Sequence, residues 1–301
     1  MIPRPLSAST PPTDLRSSAA VAMVPLLCAT AATVTAVSSV GVRWQALSIS
    51  GQTAPTTAIA VEKMFLESDC VLMFPAVASK AECQAIVDEA KTAAAMHHNS
   101  RAAYGLDPNG LARIPTIAAR RRAELVGTPC ADPLDPVTDR ACEELLLRTM
   151  AIVDEEFPNL RAALYGNGIT SLCKAHLSDD LEFSSREPGV NVYSDGGEFR
   201  PHKDHQALTF LLPLTEPEDF EGGGTGFWDQ DSRGHRVEDP SLILRPPAGT
   251  ALCFGGHVTH AGQTVQAGTR VAYVASFSSC GGRKQRQAVS ATSFDIYGDV
   301  I

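Results

Sequence analysis

The chain has 301 residues, 44% hydrophobic and 20% charged, values that exclude wholesale disorder, a collagen helix and a coiled coil. A net charge of −9, from 34 acidic against 25 basic residues, argues against nucleic acid as a partner, because neutralising phosphates needs a clustered Lys/Arg excess. The eight cysteines, at 28, 70, 83, 130, 142, 173, 253 and 280, include no CxxC pair. That argues against a zinc ribbon or thioredoxin-type site and leaves buried thiols and disulfides as open alternatives.

Residues 1–60 carry only Arg4, Asp14, Arg16 and Arg43, and residues 17–42 carry no charge. This Ala/Val/Ser/Thr stretch exceeds the roughly 20 residues that cross a bilayer core, while its weak hydrophobicity also suits a cleaved signal or an organelle transit peptide. Residues 1–60 are therefore read as a targeting or anchor segment with its linker, outside the fold. The corresponding locations are a secretory-pathway membrane or lumen, with membrane anchoring through residues 17–42, or else organelle transit or cytoplasm.

Residues 61–187 read as a strand-and-helix scaffold. Residues 69–77 form an apolar run suited to a buried strand. Ser79 and Glu82 make a capping box, followed by Cys83, Ile86, Val87, Ala90 and Ala94 at helical spacing. A second helix is predicted over 138–157, ended by Pro158. The Pro-, Arg- and Gly-rich residues between, 99–137, read as an excursion over the surface, with Arg120, Arg121 and Arg122 as a solvated face. From 188 to 301 the texture changes to short β runs, at 190–193, 207–214, 226–228, 241–244, 250–254 and 270–277, the mark of an antiparallel sandwich or barrel.

The chemistry concentrates in two segments of that second half. His202 and Asp204 stand two apart at the start of a strand-like run, and strand side chains two apart share a face. With a third ligand from elsewhere they would complete the two-His, one-carboxylate arrangement that suits non-haem Fe(II). His260 lies 56 residues after Asp204, and Arg270 follows ten later at the head of a strand. His257 is the alternative ligand, and His205 reads as a rim or packing residue. Trp228 reads as a core or rim aromatic. Glu221 to Gly226 read as a tight bend that turns Thr225 inward.

The pattern Tyr193, Gly197, Phe199, His202-x-Asp204, then Glu221-Gly-Gly-Gly-Thr225-Gly-Phe227, Pro247-x-Gly249-x-Ala251-Leu252-x-Phe254 and His260-x-Gly262 through Gly268-x-Arg270 resembles the iron- and 2-oxoglutarate-dependent dioxygenases. The layout is nearest to their prolyl 4-hydroxylase-like branch. The resemblance implies an α+β chain built on a double-stranded β-helix, a jelly-roll or cupin-like barrel flanked by helices. It further implies Fe(II) held by His202, Asp204 and His260, and Arg270 pairing with the distal carboxylate of 2-oxoglutarate. Tyr193 and Thr225 match positions that line the co-substrate pocket. Oxygen is the second co-substrate, ascorbate an accessory reductant, and hydroxylation coupled to decarboxylation of 2-oxoglutarate to succinate the reaction. A peptide, with peptidyl-proline leading, or a small molecule is the substrate; a non-catalytic jelly roll that binds metal or carbohydrate is the rival class. Arg270 stands where the collagen-type enzymes carry lysine, and Leu208 to Leu214 lack a tyrosine found there in that branch.

Overall fold

The computed structural model describes residues 34–37, 43–52, 57–67, 70–98, 110–230 and 236–280. In chain order its elements begin with β1 (Val34–Val37), β2 (Arg43–Ser48), α1 (Ala58–Glu67), β3 (Cys70–Phe74), α2 (Lys80–His98), β4 (Leu111–Pro115) and α3 (Ile117–Leu125). There follow α4 (Pro136–Glu156), α5 (Pro158–Tyr165), α6 (Leu172–Leu177), β5 (Leu181–Phe183), β6 (Gly189–Tyr193), β7 (Phe199–His202) and β8 (Leu208–Pro213). The chain continues with β9 (Phe220–Gly222), β10 (Thr225–Trp228), β11 (Leu242–Leu244), β12 (Ala251–Gly255), β13 (Thr259–Gly262), β14 (Val265–Gly268) and β15 (Arg270–Ser279).

A nine-stranded antiparallel sheet runs β1-β2-β3-β12-β8-β15-β6-β4, with β5 on the far part of β15, and a four-stranded sheet runs β11-β10-β13-β7. Strand alternation gives the large sheet two apolar faces. Leu208, Phe210 and Leu212 of β8, Ala251 and Cys253 of β12, and Val271, Tyr273 and Ala275 of β15 join the helices in one core. Leu211, Leu252, Phe254, Ala272 and Val274, on the opposite face, meet Phe227 and Leu242 of the small sheet in another. Two facing antiparallel sheets with helices covering one outer side make the jelly-roll barrel that the strand pattern predicts, because each face of the large sheet must be buried against a separate layer.

The helices start where their sequences direct. Ser79 accepts from the Glu82 amide while Glu82 accepts from the Ser79 amide, closing the predicted capping box of α2. Asp135 accepts from the Val137 and Thr138 amides ahead of α4, with Pro136 at its first turn. The N-terminal residue of α5 has no side-chain cap of its own. Buried Glu62 of α1 replaces it, accepting from the Asn159 and Leu160 amides at 2.9 and 3.1 Å and so bolting one helix to the next.

Three sequence readings are corrected. Residues 1–60 do not lie wholly outside the fold: β2 pairs with β3, and buried Trp44 packs edge-on against Phe157 with ring centroids 5.2 Å apart. Trp44 and Ala46 face one core and Leu47 and Ile49 the other, so the strand is apolar on both sides and lacks the half-polar alternation that marks a strand in sequence. The uncharged stretch at 17–42 includes β1, and residues 1–33 lie outside the described residues. Among the described residues no helix is long and apolar enough to cross a membrane. Second, the 99–137 excursion contains β4, which pairs along its length with β6, and α3. Arg120 donates to the Cys130 and Ala131 carbonyls and Arg122 to that of Glu187, so the basic run is half built into the structure. Third, His202 and Asp204 do not share a strand: His202 ends β7, and Asp204 lies in the turn before β8. The seven described cysteines are free thiols, and burial pushes that of Cys83 up to about 11.

Candidate active site

Two strands and one turn bring the predicted ligands together. His260 on β13 pairs in register with His202 on β7, and the turn after β7 returns Asp204 to both. His202 Nε2 lies 3.3 Å from Asp204 Oδ1 and His260 Nε2 lies 3.6 Å from Oδ2. One ligand atom from each residue lies within 4.8 Å of the others. Each imidazole points its Nδ1 at a main-chain carbonyl two residues earlier, His202 at Arg200 (2.8 Å) and His260 at Val258 (3.2 Å). A carbonyl only accepts, so Nδ1 carries the proton and the Nε2 lone pairs face the carboxylate.

Burial favours the uncharged forms here, but unequally. It pushes the His260 imidazole down to about 4 against the attraction of Asp204, which leaves the ring neutral near pH 7. Burial alone would raise the Asp204 carboxyl, yet the two imidazoles beside it and the hydrogen bond from Thr209 hold it below the usual carboxylate range. Thr209 Oγ1 donates to Asp204 Oδ2 at 2.5 Å and fixes the carboxylate's orientation from the first turn of β8. His257 is exposed and stands outside the cluster, as does exposed His205. His176 pairs with Glu143, and His235 lies outside the described residues. Trp228 is buried and donates its indole N–H to the Glu238 carbonyl.

Arg270 heads β15 and is 1% exposed. Its Nη2 donates to Thr225 Oγ1 at 2.9 Å, and its guanidinium carbon sits 4.8 Å from the centre of the Tyr193 ring, which β6 places opposite it. Nη1 is buried without a hydrogen-bond partner. The bend before Thr225 needs Gly222, Gly223 and Gly224 at φ 67, 62 and 99, and on β10 Thr225 pairs with Gly262 while Phe227 pairs with His260. Thr225 therefore lies about 7 Å along the strand from the level of His260. At the Thr225 level Gly262 contributes no side chain, and a Cβ there would meet Tyr193 Oη at 2.8 Å.

A narrow cleft with about 20 Å³ of open space is lined by His202, Asp204 and His260 together with Tyr193, Phe199 and Gly262. Leu211 and Val274 make its apolar wall, Leu211 belonging to the segment where the tyrosine is lacking. Arg113, Glu187 and Asn191 make a polar wall that sequence reasoning missed. Arg113 donates to Asn191 Oδ1 at 2.8 Å and to Glu187 Oε1 at 3.2 Å, and Asn191 donates to Tyr193 Oη at 3.3 Å. Buried Glu187 also accepts from the amide and hydroxyl of Ser276. The alternation on β4 is the signal that existed: Ala112 and Ile114 face the helical core, leaving Arg113 to face inward.

Residues 188–277 match the family model of the 2OG-Fe(II) oxygenase superfamily. This segment belongs to that superfamily. The match over this segment supports a 2-oxoglutarate-dependent dioxygenase, an oxidoreductase, and that superfamily implies Fe(II), 2-oxoglutarate and O₂. Among solved structures, the chain is similar to a prolyl-4-hydroxylase of Pseudomonas putida (17% identity, 74% of this chain and 99% of that one, TM-score 0.40). It is also similar to the viral collagen prolyl hydroxylase of Paramecium Bursaria Chlorella virus-1 in its 2OG complex (14%, 69% and 95%, 0.38). A third is an oxidoreductase of the 2OG-Fe(II) oxygenase family from Burkholderia pseudomallei (16%, 45% and 58%, 0.29). No curated protein matches the chain at a significant level.

The residues gathered here suit the groups that the superfamily implies. His202 and His260 each place Nε2 within 3.6 Å of the Asp204 carboxylate, and one ligand atom from each of the three lies within 4.8 Å of the others, so the donor types that suit non-haem iron are gathered at one point. The orphaned Nη1 of Arg270 is a buried donor that a carboxylate would satisfy.

Proposed function

We propose that the protein hydroxylates a peptidyl target, with proline leading, coupled to decarboxylation of 2-oxoglutarate to succinate. The observation that carries this reading is a two-imidazole, one-carboxylate cluster in the same barrel as a fully buried arginine with an unsatisfied donor. His202, Asp204 and His260 would hold the iron, and the bound metal with 2-oxoglutarate and O₂ supplies the oxidation. The chain's own work is positioning. The Arg200 and Val258 carbonyls set the imidazole tautomers, and Thr209 holds Asp204 in the orientation that presents Oδ1 beside His202. Arg270 and Thr225 would receive the distal carboxylate through parallel hydrogen bonds, and the roughly 7 Å offset from His260 is a span that a five-carbon dicarboxylate bridges. Leu211 and Val274 give the cleft beside the cluster an apolar wall, and a less polar surrounding strengthens charge pairing there.

The test is succinate release with added Fe(II), with and without candidate peptides. Turnover lost in Asp204→Ala and His260→Ala but kept in His257→Ala, with iron retention following the same order, is the expected result. Absence of any turnover in the intact protein, or undiminished turnover in Asp204→Ala, overturns it.

A further inference from the structure

We propose that a second pocket beside the iron cleft docks an acidic stretch of the substrate polypeptide; this deepens the peptidyl reading above and rests on it. The pocket, of about 400 Å³, lies between the end of α3 and the β5–β6 connection. The guanidiniums of Arg122 and Arg186 and the amide of Gln206 line one part, and Phe183, Leu125 and Val126 line the rest. Leu125 and Val126 are 86% and 74% exposed, so large apolar side chains stand at the mouth of a cationic pocket.

The charges there are unbalanced. Among the described residues, no carboxylate forms an ion pair with Arg122 or Arg186, whereas Arg113, Arg120, Arg148 and Arg161 all have one. Arg122 donates to a carbonyl and lies over the Phe183 ring, with Asp179 attracting it only at longer range. Arg186 is repelled by Arg113. Glu182, the acidic residue of the lining, has contacts of its own. Two half-buried guanidiniums without a carboxylate, in a chain of net charge −9, are complemented by an occupant that brings carboxylates and an apolar neighbour for Leu125 and Val126.

The pocket and the iron cleft have no lining residue in common but are joined through chain neighbours: Arg122 donates to the carbonyl of Glu187, whose carboxylate lines the cleft, and Gln206 stands two residues beyond Asp204. Under this proposal the flanking residues of a substrate chain lie at the second pocket when one residue enters the cleft.

The test is fluorescence anisotropy of two short fluorescein-labelled proline peptides, one flanked by Glu-Asp-Glu and one by Gln-Asn-Gln, with the full chain holding Fe(II) and 2-oxoglutarate under nitrogen. The acidic peptide is expected to bind roughly tenfold tighter or more at low ionic strength, an advantage that salt erodes. Arg186→Gln removes the advantage and leaves the neutral peptide unmoved, while Leu125→Ser, at an exposed position, weakens both. Equal binding of the two peptides, no binding of either, or a preference that survives Arg186→Gln overturns the proposal. If the acidic peptide binds through Arg186 but raises no succinate above the uncoupled rate, the docking pocket stands and the hydroxylation reading falls.

Discussion

Replacing Arg270 by methionine separates what this side chain does for the fold from what it does for the co-substrate. The guanidinium is buried, its polar contacts are Thr225 and Tyr193, and Nη1 has no partner; burial lowers its pKa. Without co-substrate the change removes one hydrogen bond, of about 1 kcal/mol, and also an uncompensated buried charge, whose replacement by an apolar side chain of similar volume is commonly neutral or stabilising by about 1–4 kcal/mol. Unfolding without 2-oxoglutarate should therefore be unchanged or shifted upward. Binding should move the other way, because two charge-assisted hydrogen bonds to a carboxylate are lost, about 3–5 kcal/mol in total and roughly two to four decades in Kd. Urea denaturation of the apo-protein and calorimetric titration of 2-oxoglutarate into the metal-loaded protein under nitrogen measure the two effects. A Kd within threefold of wild type, or an apo-protein weakened by more than about 2 kcal/mol, would refute the reasoning that this charge waits for a ligand.

Gly262→Ala drives a Cβ to within 2.8–3.0 Å of the Tyr193 ring and hydroxyl, so the KM for 2-oxoglutarate should rise about tenfold or more while the fold persists; an unchanged KM in succinate assays places the co-substrate elsewhere. Glu62→Ala strips α5 of its borrowed cap and should lower stability by about 1–2 kcal/mol in urea melts, with no change counting against the capping role. Glu82 is held down to about 2, chiefly by the hydrogen bond from Arg148 and then by those from Ser79. Its folded value lies below the unfolded one, so its stabilisation is present above about pH 4.5 and fades as pH falls through about 2. Exposure and screening limit it to roughly 0.5–1 kcal/mol. Wild type and Glu82→Gln should thus differ in urea midpoint at pH 6 and converge near pH 2, and a constant gap would remove Glu82 as the cause.

Local rules made much of this molecule legible. The Ser79 and Glu82 box, the spacing along α2 and α4, the Gly-rich bend before Thr225 and the strands from β6 to β15 all depend on neighbours within a few residues, and so does the head position of Arg270. The His202, Asp204 and His260 pattern was readable because a metal restricts residue type as well as spacing, even though the expected shared strand proved to be a strand end and a turn.

Other features depend on partners far away in the chain and leave no local trace. β2 is apolar on both faces because a sheet covers helices on one side and a second sheet on the other, so its sequence resembles a featureless linker. Arg113 reads as a surface charge until pairing with β6 places it beside Asn191 and Glu187, 78 and 74 residues later. The sequence by itself determined which side chains could bind iron and a dicarboxylate, since that is a matter of donor chemistry. Only the tertiary structure decided which histidine joins the cluster, which arginines lack a carboxylate and what walls the cleft, because burial and pairing are properties of the packed whole.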